Sequence, residues 1–223
     1  LTLPFIDFHT HNQSQATGVV TVISHHEYVD NPNLLHTLGI HPWFEIAEPE
    51  QAFNRIRNHY MESPNCLGIG ECGIDRIKGL PVNRQIDIFE RLVHIANDIN
   101  APVVIHCVRA FDMVLHIHKS FAKTPWAVHG YTRNKILCKQ LVDSGIYISV
   151  SPRFNMSHTL FETIKWLPLD FLFIESDTDK SLEIEQRYFM LAAAKDIEVD
   201  FLKHSIFNNF ITFYREKWRF QTG

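Results

Sequence analysis

The sequence predicts an α/β fold, a TIM-type (β/α)8 barrel that is slightly distorted and has reduced helices after its first two strands. Three observations carry this. Eight short β-branched or aromatic runs recur along the chain, amphipathic segments with helical spacing separate most of them, and histidines and acids fall at the ends of the runs. At 223 residues the chain is long enough for one such barrel. No composition shift, low-complexity tract or repeat marks a boundary, so residues 1–223 read as a single domain.

In chain order the strands fall near residues 4–9, 19–24, 35–40, 66–71, 102–106, 126–129, 146–150 and 171–176. Only about ten residues separate the first strand from the second, and the second from the third, where a parallel crossover generally needs a dozen or more. Helices are therefore expected to be absent or reduced there, leaving a stretch of barrel wall to be covered by the C-terminal helix or by a partner subunit, as in a homodimer. Further on, residues 84–99 place Ile86, Phe89, Leu92, Val93, Ala96 and Ile99 on one helical face. Shorter helices are expected at 49–61, 110–121, 133–143 and 158–166, and 198–216 carries a stripe of Val199, Leu202, Ile206, Phe210 and Phe213.

Composition excludes some functions. No run approaches the ~18 apolar residues of a membrane span, and no signal-like core opens the chain, so a cytoplasmic address is expected. The four cysteines form no C-x-x-C pair and read as small buried hydrophobes. A net charge of −4 argues against sequence-independent wrapping of nucleic acid, though not against a local phosphate site.

The 14 histidines carry more information through their placement. His9 and His11 close the first strand as H-x-H, and alternation points both side chains the same way. Glu71, His106, His129 and Asp177 each stand at the carboxyl end of a later strand, the rim where barrel enzymes carry their chemistry. Four imidazoles and two carboxylates suit two divalent cations, such as Zn²⁺, Mn²⁺, Mg²⁺ or Fe²⁺. A lone strand-terminal His is more often a satisfied polar residue than a ligand; six at one end of successive strands are much harder to dismiss. His41 ends the third strand and reaches toward the same rim as a substrate contact or a packing residue. Arg76 and Arg109 lie in rim loops where they could hold phosphate, and Trp43, Phe44, Phe111, Tyr131 and Phe154 could stack bases there.

The motifs D-F-H-T-H at 7–11, L-G-I-H-P at 38–42, G-I-G-E-C-G-I-D at 68–75, P-V-V-I-H at 102–106, H-G at 129–130 and E-S-D at 175–177 resemble, in order, those of the TatD family of metal-dependent hydrolases. The resemblance implies that His9, His11 and Asp177 hold one metal, that His106 and His129 hold the other, and that Glu71 bridges them. It also implies hydrolysis of phosphodiester bonds, with DNA as substrate, and catalytic roles for Asp177 and Glu71. Two alternatives stand beside it: a binuclear hydrolase of a small phosphoester, ester or amide, and an inactive barrel kept as a scaffold.

Overall fold

The computed structural model describes residues 3–218. Among them the elements run β1 (Phe5–Thr10), β2 (Val19–His26), β3 (His36–Gly39), α1 (Pro49–Glu62), β4 (Cys66–Asp75), α2 (Val82–Asp98), β5 (Val103–Val108) and α3 (Phe111–Phe121). They continue with β6 (Trp126–Val128), α4 (Lys135–Asp143), β7 (Tyr147–Val150), α5 (His158–Trp166), β8 (Leu172–Ile174), α6 (Ile184–Lys195) and α7 (Val199–Trp218). The strands form one sheet in chain order, β1 through β8, and a parallel bridge between Thr10 and Asp177 joins the end of β1 to the chain just beyond β8. This is the TIM-type barrel that the pattern predicts, with no helix after β1 or β2.

Local chemistry sets the helix starts. Pro49 opens α1, where a missing N–H costs nothing. The side chains of Asn134 and Ser157 accept from the backbone N–H of Leu137 and Leu160, capping α4 and α5. Glu183 and Gln186 form a reciprocal capping box on α6.

The chain divides into two compact units, one taking in the chain up to Ile23 together with His129–Phe213, the other Ser24–Val128 and the chain from Tyr214 on. In the first unit β1 alternates. Phe8 stacks on Phe173 of β8 with ring centroids 4.0 Å apart and meets Phe213 of α7 edge-on at 5.5 Å. The hydroxyl of Tyr188 on α6 accepts from Ile6 N at 3.0 Å and donates to Ile6 O at 3.1 Å. Lys203 of α7 lies over the Phe5 ring, 4.1 Å from its centroid. The last two helices thus cover β1, where the abbreviated first crossover leaves none of its own. Asp7 and His9, on the alternate positions, point to the opposite face.

In the second unit all ten residues of β4 are buried, between β3 and β5 and under α2. Ile88, Phe89, Leu92, Val93 and Ala96 of α2 supply its apolar cover. The register of β4 on β5 shifts between Ile69 and Cys72. Gly70 lies inside that shift, and Gly73 follows directly after pairing resumes at Cys72. Their φ angles are +148° and +142°, and a Cβ would come within 2.5 Å of Val104 O at the first and 2.1 Å of His106 O at the second. Only glycine fits such a bulge. Because the strand resumes after it, β4 continues to Asp75 and does not stop at 71. No helix among the described residues is long and apolar enough to cross a membrane.

Candidate metal centre

In the first unit, β1 delivers His9 and His11, the turn after β6 delivers His129, and the chain beyond β8 delivers Glu175 and Asp177. Backbone bonds from Asp177 N to His9 O (3.0 Å) and from His11 N to Asp177 O (3.2 Å) hold Asp177 against the end of β1. The buried rings of His9 and His129 stack with centroids 4.0 Å apart. One ligand atom from each of His9, His129 and Asp177 lies within 4.8 Å of the others. The half-exposed His11 presents Nε2 3.7 Å from Asp177 Oδ1.

Glu175 supports this group from beneath. It is fully buried; its Oε1 accepts from Gly130 N at 2.7 Å and lies 3.7 Å from His129 Nδ1. Burial pushes its pKa up, but the facing imidazoles of His129 and His9, with the Ser149 hydroxyl, outweigh that, and the carboxyl is held below its ordinary range. A carboxylate behind a histidine fixes the tautomer and leaves the other ring nitrogen to a cation.

In the second unit, Glu71 sits within the β4 bulge, His106 in β5 and His41 just beyond β3. Glu71 Oε1 faces His106 Nδ1 at 2.8 Å and His41 Nε2 at 3.1 Å. Again the three ligand atoms fall within 4.8 Å of one another. His41 Nδ1 accepts from Trp43 N at 3.2 Å, so its proton is on Nε2 and is aimed at Glu71. That makes His41 a donor to the carboxylate. His106 Nε2 lies 3.3 Å from Asp75 Oδ2, which also accepts from the Trp43 indole at 2.7 Å. Asp75 is buried, which raises its pKa; the indole, the Ile77 and Lys78 N–H groups and His106 more than offset this and hold it below the usual carboxylate range.

Each set matches a borderline divalent cation in its donors, buried imidazole plus carboxylate, with outer carboxylates orienting the rings. The structure thus gathers His9, His11, His129 and Asp177 in one unit, and Glu71, His106 and His41 in the other. His129 stacks on His9 in the first unit, where the resemblance pairs it with His106. Asp75 and Glu175, which sequence reasoning did not single out, belong to the sets as outer carboxylates. Their signal lay in the motifs, since Glu175 stands two residues before Asp177 and Asp75 closes G-E-C-G-I-D. Arg76 is engaged within its own unit, donating to Arg109 O at 2.9 Å and pairing with Asp112 Oδ2 at 2.8 Å. Arg109 takes the left-handed region at φ +53°.

The chain matches the TatD related DNase family over residues 6–215. It is 30% identical over 199 residues to an uncharacterized metal-dependent hydrolase of Methanocaldococcus jannaschii, covering 83% of this chain and 77% of that one. It is 25% identical over 157 residues to a 3'-5' ssDNA/RNA exonuclease TatD of Pantoea ananatis, covering 68% of this chain and 60% of that protein. Several such relatives are matched over less than two thirds of their length. Among solved structures, a TatD homolog from Escherichia coli K12 shares the fold with a TM-score of 0.83, at 18% identity over 96% of this chain and 99% of that one. The chain belongs to the TatD-related DNase family of metal-dependent hydrolases.

Proposed function

We propose that the protein hydrolyses phosphodiester bonds of nucleic acid, DNA in the first place, with two divalent cations. One is held by His9, His11, His129 and Asp177, the other by Glu71 and His106. The observation that carries this reading is the donor geometry: two sets of buried imidazole and carboxylate, each with ligand atoms within 4.8 Å and each backed by a further carboxylate. Divalent cations at such sets polarise a phosphoryl oxygen and lower the pKa of water.

The side chains divide the remaining work. Asp177, half-buried at the end of the bridge to β1, accepts the proton of the attacking water at a carboxylate oxygen. Glu175 and Asp75 hold the rings of His129 and His106 in one orientation. His41 holds the Glu71 carboxylate through its Nε2 proton. A cleft at Asp177 and Glu175 is also lined by Thr132, Ser151, Arg153 and Asn155, so beside the two carboxylates a phosphate meets one cationic side chain and several neutral polar groups. Phe154, 81% exposed next to Arg153, offers a face on which a base can stack. The Arg153 charge is shared with Asp179 Oδ2 at 3.0 Å, which suits a site that must release its product.

End-labelled single-stranded DNA, duplex DNA and RNA, incubated with protein in Mg²⁺, Mn²⁺ or Zn²⁺, test this directly. Shortening by the parent and none by Glu71→Ala is the expected result, and the product ladder separates terminal from internal cleavage. Intact substrates in every metal, with cations demonstrably bound, would overturn the nucleic-acid assignment. Small phosphoesters, esters and amides would then be the substrates to examine.

A further inference from the structure

A third group of metal-ligand side chains lies in the second unit, at the ends of strands opposite to those that carry Glu71 and His106. His36 is the first residue of β3 and Cys66 the first of β4, while His59 projects from the last turn of α1. A nitrogen of each imidazole and the Cys66 sulfur lie within 4.8 Å of one another. We propose that His36, His59 and Cys66 form a site for a zinc-like cation, separate from the reaction centre, that ties α1 to the amino ends of β3 and β4, with a solvent molecule on the His59 side as the fourth ligand of the tetrahedron.

The geometry of His36 is that of a ligand set up in advance. Its Nδ1 stands 2.7 Å from the carbonyl oxygen of Leu34, which fixes the proton on Nδ1 and leaves Nε2 with its lone pair free to accept. Backbone carbonyls play this part behind many metal-bound histidines. His36 Nε2 in turn lies 2.8 Å from His59 Nε2, so His59 is the donor of that bond. A cation replaces the shared proton. Two nitrogens at about 2.05 Å from a tetrahedral zinc stand about 3.3 Å apart, so the pair opens by only about half an ångström.

Protons balance simply. His59 moves its ring proton from Nε2 to Nδ1, and Cys66 gives its thiol proton to solvent as the sulfur–metal bond forms, so one proton leaves per cation. Burial holds His36 down to about 4, so its ring is neutral at physiological pH and available as a ligand. Burial also pushes the Cys66 thiol up to about 12. The thiol therefore stays protonated until a metal takes its place, with the neighbouring Lys217 charge favouring the thiolate. His36 and Cys66 are fully buried, whereas His59 is half-exposed and gives the ion a way in. Imidazole and thiolate together select zinc-like ions over Mg²⁺ or Ca²⁺.

Co²⁺ titration in reducing buffer reads this site separately from the imidazole–carboxylate sets, because only a thiolate gives the near-ultraviolet sulfur-to-cobalt absorption. The parent and Glu71→Ala should both develop that band, and Cys66→Ser should lose it. Should Cys66→Ser not fold, His59→Gln, a change at a half-exposed helix position, still decides. Its titration midpoint for the band should rise by about tenfold or more, at least the lower end of what losing a ligand's support costs. No thiolate band in the parent, a band that survives Cys66→Ser, or a midpoint unmoved by His59→Gln would each overturn the site.

Discussion

Asp75 and Glu175 stand outside the two candidate ligand sets, yet each faces the ring of a candidate ligand, His106 or His129. Asp75→Asn removes the charge behind His106 while keeping the side chain's shape. Metal affinity should fall by about 10–100-fold, and the melting temperature of the metal-free protein should fall too, because one acceptor becomes a donor facing the Trp43 indole or the Ile77 and Lys78 N–H groups; calorimetric titration beside a melting curve checks both, and unchanged affinity would deny Asp75 its part. Asp177→Asn asks a different question. With cation still bound, turnover should drop by about 10²–10⁴-fold if the carboxylate accepts the nucleophile's proton, and steady-state kinetics at saturating metal measure it. At this scale the sequence marked out the candidate ligands and missed the carboxylates that face their rings. H-x-H and strand-terminal His and Glu stand out because a strand's end is a visible position. Asp75 was hidden by a bulge, since the shift after Ile69 lengthens β4 and carries a loop-like acid into the strand. The partners of His41 and Arg76 depend on side-chain direction, which no spacing encodes.

Among the elements, α6 is the one that periodicity fails to reveal. Its inward residues Ile184, Arg187, Tyr188, Leu191 and Ala192 have helical spacing, but a charged residue stands among them. Arg187 is fully buried, donating to Ser151 Oγ (2.8 Å), Pro152 O (3.0 Å) and Asp179 O (3.0 Å), and it pairs with Asp179 Oδ2 at 3.1 Å. A buried guanidinium that satisfies several carbonyls looks, in sequence, like a surface residue. Arg187→Ala leaves those acceptors and the carboxylate without it, so unfolding in urea should show a loss of about 3–5 kcal/mol; a loss under about 1 kcal/mol would mean that water substitutes freely. The other helices and all eight strands were legible, because their apolar faces carry no such exception. The stripe of α7 is a case in point, with Leu202, Ile206, Phe210 and Phe213 buried along it.

For the molecule as a whole, stability should depend on pH through half-buried histidines with no acid beside them. His118, packed edge-on against Trp126 at 4.8 Å, is held below its ordinary 6.5 by burial alone. The unfolded chain therefore takes up this proton first. The contribution is full above pH 6.5 and is lost as pH falls through the depressed folded value. Urea midpoints measured downward from pH 7 should decline, and His118→Gln should flatten part of that decline; an unaltered slope would remove His118 from the account. The barrel class, the family and the clustering of imidazole with carboxylate all point to one central claim, the proposal that the two donor sets hold cations. Crystals soaked in Mn²⁺ and measured for anomalous scattering test it most directly. The account predicts one peak among His9, His129 and Asp177 and another against Glu71 and His106, whereas peaks elsewhere, or none at saturating metal, would contradict it.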